Sequence, residues 1–91
     1  MTDPTPPPTV REAIAAVCDE LKSMLLAKNA AYGNSALDPV RVFSKADPLE
    51  QINVRLDDKL SRISRGASAG EDPEWDIAGY LVLKQVAKRL Q

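Results

Sequence analysis

The chain has 91 residues, 12 basic and 13 acidic side chains, and a formal net charge of −1. That length allows one domain with a modest core, of the size often completed by a second copy, a metal or disulfides. The charge balance argues against duplex DNA or RNA as the main partner. The absence of histidine removes His-based triads and His-ligated zinc, and the single cysteine, Cys18, removes an internal disulfide.

The N-terminal stretch "MTDPTPPPT" lacks the basic head and apolar run of a secretion signal. No apolar run approaches the ~20 residues that span a bilayer. A soluble cytoplasmic protein without a membrane partner is therefore expected (host-cell cytoplasm if viral). Residues 1–8 hold four prolines and no hydrophobic residue after Met1, so they read as a disordered, Pro-rich tail.

Thr9 and Glu12 stand at capping-box spacing. Val10, Ile14, Val17, Leu21, Met24 and Leu25 then recur at threes and fours, with Cys18 on the edge of the stripe. A first helix over 9–32 follows, ended by a left-handed cap at Gly33 or Asn34. Residues 33–46 form a long connector in which Phe43, the only phenylalanine, is expected to anchor the loop to the core. Asp47, Pro48 and Glu50 restart a helix over 48–65, with Leu49, Ile52, Leu56, Leu60 and Ile63 as its apolar stripe and Gly66 as its stop. "ASAGE" is a turn. Asp72 and Pro73 repeat the start signal for a third helix over 73–90, with Trp75, Val82, Val86 and Leu90 on one line.

Gly79 on that line costs about 1 kcal/mol against Ala in a helix, which points to close approach of another helix. Ile77 and Leu81, beside Lys84 and Lys88, form a second apolar strip expected to contact another subunit. The expected fold is all-α: a three-helix domain over 9–91 behind the tail, assembling as a homo-oligomer.

Lys28 falls on the apolar stripe of the first helix, in line with Val10 and Leu21, and Tyr32 in line with Ile14. Lysine stems lie along apolar surface with the head in water, which accounts for Lys28 alone. Tyr32, Gly33 and Asn34 following it suggest one end of a pocket. At 100° per residue the second helix divides its flanks by charge. Asn53, Asp57 and Glu50 fall on one side, Lys59, Arg55 and Arg62 on the other, with Asp58 placed to pair with Arg62. A row of Lys and Arg beside a pocket suits phosphate. Glu50, Asn53 and Asp57, joined by Asp76, are carboxylates and an amide suited to magnesium. Asp76 equally suits the helix dipole in a first turn.

"KNAAYGNS", "RVFSKAD", "EQINVRLDDKLSRI" and "EDPEWDIAGYLVL" together resemble the small phage-encoded family called nucleotide modification associated domain 1. The similarity covers roughly residues 28–83. It matches Lys28, Tyr32, Gly33 and Asn34 to a first motif, Arg55, Asp57, Asp58, Lys59 and Arg62 to a second, and Asp76 with Tyr80 to a third. The resemblance implies an all-helical protein working on or around nucleotides in viral genomes. Ala31 stands where relatives often carry Asp, which removes one carboxylate. A looser similarity runs to the all-α nucleoside triphosphate pyrophosphohydrolases, of whose acidic motifs only Glu50, with Asn53, and Asp76 remain here.

Three expectations compete. The first is a phage-type protein that binds a phosphorylated nucleotide without a cofactor, in pockets of a homo-oligomer, and sequesters a host signalling nucleotide. Lys28, Tyr32, Asn34, Arg55, Lys59 and Arg62 would bind, supported by Gly33, Phe43, Asp58 and Tyr80. The second is a magnesium-dependent nucleotide pyrophosphohydrolase with Glu50, Asp57 and Asp76 on the metal. The third is a non-catalytic adaptor whose charged flanks are solvated.

Overall fold

The computed structural model describes residues 6–38, 42–66 and 70–90. The tail expectation for 1–8 therefore falls mostly outside the described residues, as do parts of the 33–46 connector and the "ASAGE" turn. Residues 6–9 are exposed and without regular structure.

Three helices make the fold: α1 Val10–Tyr32, α2 Pro48–Arg65 and α3 Pro73–Leu90. Their starts are set by local chemistry. The Thr9 hydroxyl accepts from the Glu12 N–H at 3.1 Å, and the Glu12 carboxylate accepts from Thr9 in return. The Asp47 carboxylate accepts from the Glu50 N–H at 2.8 Å, with Pro48 directly after the cap. Asp72 does the same for the Trp75 N–H at 3.1 Å. Each cap satisfies a backbone donor that a helix leaves unpaired at its first turn.

Gly33 ends α1 by donating to the Asn29 carbonyl at 2.8 Å. Its backbone, at φ 64° and ψ −146°, is not the left-handed helical cap expected. It lies near an extended region of positive φ that essentially only glycine enters. The chain therefore leaves the helix sharply, and one further turn follows, with Leu37 and Asp38 donating to the Asn34 carbonyl.

α2 and α3 form an antiparallel hairpin. Its cross-links run in opposite numerical order along the two helices: Lys59 to Glu71 and Asp76, Arg55 to Tyr80, then Asn53 to Lys84. Ile52 of α2 is fully buried, and Ala87 and Gly79 are the buried residues of α3.

α1 packs on α3 and not on α2. The contact centres on Gly79, where a β-carbon would meet Leu25 Cδ2 at 3.3 Å and Met24 Cε at 3.5 Å. The close approach expected at Gly79 is thus made by α1. The first half of α1 projects past the hairpin, with Val10 78%, Ile14 59% and Val17 50% exposed. The Cα radius of gyration is accordingly 16.8 Å, against about 12 Å for a compact domain of this length.

Two local expectations need correction. Phe43 is 98% exposed and anchors nothing. Ser44 ties the end of the connector instead, its hydroxyl accepting from the Ala46 N–H at 3.2 Å and the Gln51 amide at 3.4 Å. The strip of Ile77, Leu81, Lys84 and Lys88 is divided. Ile77 is half-buried and Lys84 donates to Asn53 Oδ1 at 2.7 Å within the hairpin, whereas Leu81 and Lys88 face outward.

Candidate functional site: a hollow between α1 and α2

Because α1 rests on α3 alone, a gap is left between its C-terminal half and α2. That gap is a hollow of about 440 Å³, within the ordinary range for small-molecule sites. α3 forms its floor through Asp76, Gly79, Tyr80 and Leu83. One wall is Met24, Leu25, Lys28, Asn29 and Tyr32 of α1; the other is Arg55 and Lys59 of α2. The turn at 33–37 closes one end, and Glu71 stands at the other.

Of the residues singled out in the sequence for phosphate binding, Lys28, Tyr32, Asn34, Arg55 and Lys59 line this one space, with Gly33, Asp76 and Tyr80. The basic flank of α2 thus faces the hollow. Arg62 does not line it: it pairs with Asp58 at 3.1 Å, one turn back on α2, and with Glu71.

The metal constellation is not assembled. Glu50 and Asp57 are exposed and line no part of the hollow. Asp76 is there without them, with Lys59 at 3.1 Å and Lys28 at 4.0 Å. Among the described residues, no three Asp, Glu or Cys side chains gather as a metal-holding group. The reason lies in the packing: α3 takes Asn53 on the acidic flank through Lys84, and α1 approaches over the opposite, basic flank.

The cations in the hollow differ in how far they are already committed. Lys59 is 12% exposed and held between Asp76 at 3.1 Å and Glu71 at 3.4 Å. Burial is the largest single influence on Lys59 and works to lower its pKa. The hydrogen bonds and charges of Asp76 and then Glu71 together outweigh it, and the net direction is upward. Arg62 is raised by its hydrogen bond to Glu71, then by the charges of Asp58 and Glu71. Glu71 is lowered by hydrogen bonds from Arg62 and then Lys59. The two cations, Lys59 and Arg62, are thus fully taken up by three carboxylates, Asp58, Glu71 and Asp76.

Arg55 is different. Its Nη1 donates to the Tyr80 hydroxyl at 3.4 Å and its guanidinium carbon lies 5.9 Å from that ring's centre, within reach of a cation–π attraction. Among the described residues no carboxylate pairs with it. Lys28, 58% exposed and only loosely paired, and Arg55 thus offer positive charge from opposite walls. Asn29 braces the closing turn, its side-chain amide donating to the Gly33 carbonyl at 3.1 Å and to Asn34 Oδ1 at 2.8 Å.

Glu71 and Asn29 were not among the residues singled out from sequence. Glu71 stands directly before the α3 cap Asp72, where its carboxylate meets Lys59 and Arg62. Asn29 carried a signal that was readable: an amide four residues before a glycine cap, on the face next to Lys28.

Comparison of the chain with protein-family models, with curated proteins and with solved structures finds no match. No described helix is long and apolar enough to cross a membrane.

Proposed function

We propose that the hollow binds a small phosphorylated nucleotide and retains it unchanged, a phage-type sequestration of a host signalling nucleotide. The observation that carries this reading is the convergence of Lys28 and Arg55, from two helices whose backbones do not pack together, on a space with Tyr32 on one wall and Tyr80 on its floor. A guanidinium grips phosphate oxygens in pairs, and an ammonium adds a point charge. The Tyr32 ring at the rim and the Tyr80 ring on the floor offer faces for a base.

The resemblance to nucleotide modification associated domain 1 points the same way. Of the residues that carry it, Lys28, Tyr32, Gly33, Asn34, Arg55, Lys59, Asp76 and Tyr80 border the hollow, and Asp57, Asp58 and Arg62 do not. Retention is favoured over hydrolysis because Glu50 and Asp57 do not line the hollow, and the two carboxylates that do, Asp76 and Glu71, are already paired with Lys59 and Arg62. An adaptor role gives the convergence no purpose.

Thermal shift against nucleoside mono-, di- and triphosphates, cyclic dinucleotides and ADP-ribose derivatives tests this. A ligand at a hundredfold excess over its dissociation constant stabilises the protein by roughly 2.7 kcal/mol, a rise of roughly 10 °C or more for so small a domain. Arg55→Ala and Lys28→Ala should each remove most of the shift, and the ligand should be recovered intact by chromatography. A chain indifferent to every member of the panel would rule the reading out; pyrophosphate release with magnesium would replace retention by hydrolysis.

A further inference from the structure

The apolar stripe of α1 is covered at one end and bare at the other. Leu21, Met24 and Leu25 are half-buried, the last two against Gly79, while Val10, Ile14 and Val17 on the same line are largely exposed. A helical half of this length is marginal in water without tertiary contacts.

The surface of the whole chain makes the same point quantitatively. It exposes 7299 Å², whereas a folded monomer of its 9.9 kDa exposes about 5,200 Å². Counting residues 1–8 as wholly unfolded chain explains at most about 1,200 Å² of the difference. Of the roughly 1,000 Å² per chain that remains, the bare half of α1 has a share, with the connector at Val42 and Phe43 and the walls of the hollow supplying the rest; a stable interface takes about 800 Å² from each partner.

We propose that a second copy of this chain covers the Val10–Ile14–Val17 face, through antiparallel pairing of two α1 helices about a two-fold axis. The steps from 10 to 14, 17, 21 and 24 alternate four and three, the spacing of a helix–helix seam. With the axis between Ala15 and Ala16, Val10 meets the partner's Leu21 and Ile14 meets the partner's Val17. One patch thus serves both copies, as an isologous contact requires. Ala13 and Cys18 flank the seam with small uncharged side chains, so the two helices can approach closely. The pairing also steadies the helix that carries Lys28 and Tyr32. It is independent of what the hollow binds, and either conclusion can fail without the other.

Light scattering on the full chain, with thermal unfolding at several concentrations, tests it. The expected mass is twice 9.9 kDa, with a melting temperature that rises with protein concentration. Ile14→Asp and Val10→Asp should weaken the association at least a hundredfold, while Ala15→Glu, on the far side of α1, leaves the mass unchanged. Should the Asp variants lose their helicity, Val10→Ser gives the milder reading, an association weakened about tenfold with the helices intact. A single-chain mass and a concentration-independent melting temperature would overturn the proposal. So would an assembly whose mass Val10→Asp, Ile14→Asp and Val10→Ser all leave unchanged.

Discussion

The α2–α3 hairpin and α1 are built from the same kind of amphipathic sequence and are held in different ways. In the hairpin, Ile52 is fully buried, and polar rungs from Asn53–Lys84 to Lys59–Asp76 and Glu71 fix the register along its length. α1 has one tight contact, Leu25 and Met24 over Gly79, and one loose ion pair, Lys28 with Asp76 at 4.0 Å. A helix defined well by its own caps can therefore be placed weakly by its neighbours. The binding hollow lies on the boundary between the two regimes, with its cation of fixed position, Arg55, on the hairpin and its loosely held one, Lys28, on α1.

The largest test of this contrast removes the hairpin's buried isoleucine. Ile52→Ala should cost about 2–4 kcal/mol, read as a fall in the denaturation midpoint with helicity lost from the whole chain. If the hairpin melted while α1 kept its helicity and its seat on Gly79, the contrast would be reversed. A smaller effect separates the two regions directly. Gly79→Leu forces a side chain into the space held by Leu25 and Met24, costing about 1–3 kcal/mol. Hydrogen exchange should show α1 amides losing protection while α2 keeps its own. Gly79→Ala is the control, because the flexible ends of Leu25 and Met24 can yield the few tenths of an ångström needed and alanine favours the helix.

The smallest effect is in acid. Glu71 has its pKa lowered in the folded state by Arg62 and Lys59, so its contribution is complete above its ordinary 4.5 and is lost as pH falls below that value. Lys59, raised in the folded state, contributes fully below its ordinary 10.5 and loses that contribution above it. Stability should therefore be flat between those limits. Glu71→Gln should reduce the acid-side loss, with little change at neutral pH because the group is exposed to solvent and screened. A slope through pH 6–8 would contradict this.

Much of the architecture was readable because caps act within four residues. Thr9 with Glu12, Asp47 with Pro48 and Asp72 with Pro73 put every helix start where it is found. The pocket residues were partly readable for a similar reason, since angular position on a helix separates Arg55 and Lys59 from Glu50 and Asp57. Which flank would face the hollow was not readable. That depends on the side from which α1 arrives, a long-range choice made at Gly79. Phe43 misled because hydrophobicity states a preference for burial and says nothing about the path of the loop that carries it. Glu71 escaped notice because it lies outside every helical stripe and its partners Lys59 and Arg62 are 12 and 9 residues away in sequence. The stripe on α1 was visible throughout, but its periodicity does not say whether the matching surface belongs to the same chain.

The bare glycine beneath Leu25 gives α1 a fulcrum placed off-centre. Counted at 1.5 Å per residue, about 22 Å of rod lies between that point and Val10, and about 10 Å between it and Tyr32. A tilt of about 10° therefore swings Val10 by about 4 Å and Tyr32 by about 2 Å in the opposite sense. Whatever grips the long arm sets the width of the gap between Tyr32 and Arg55.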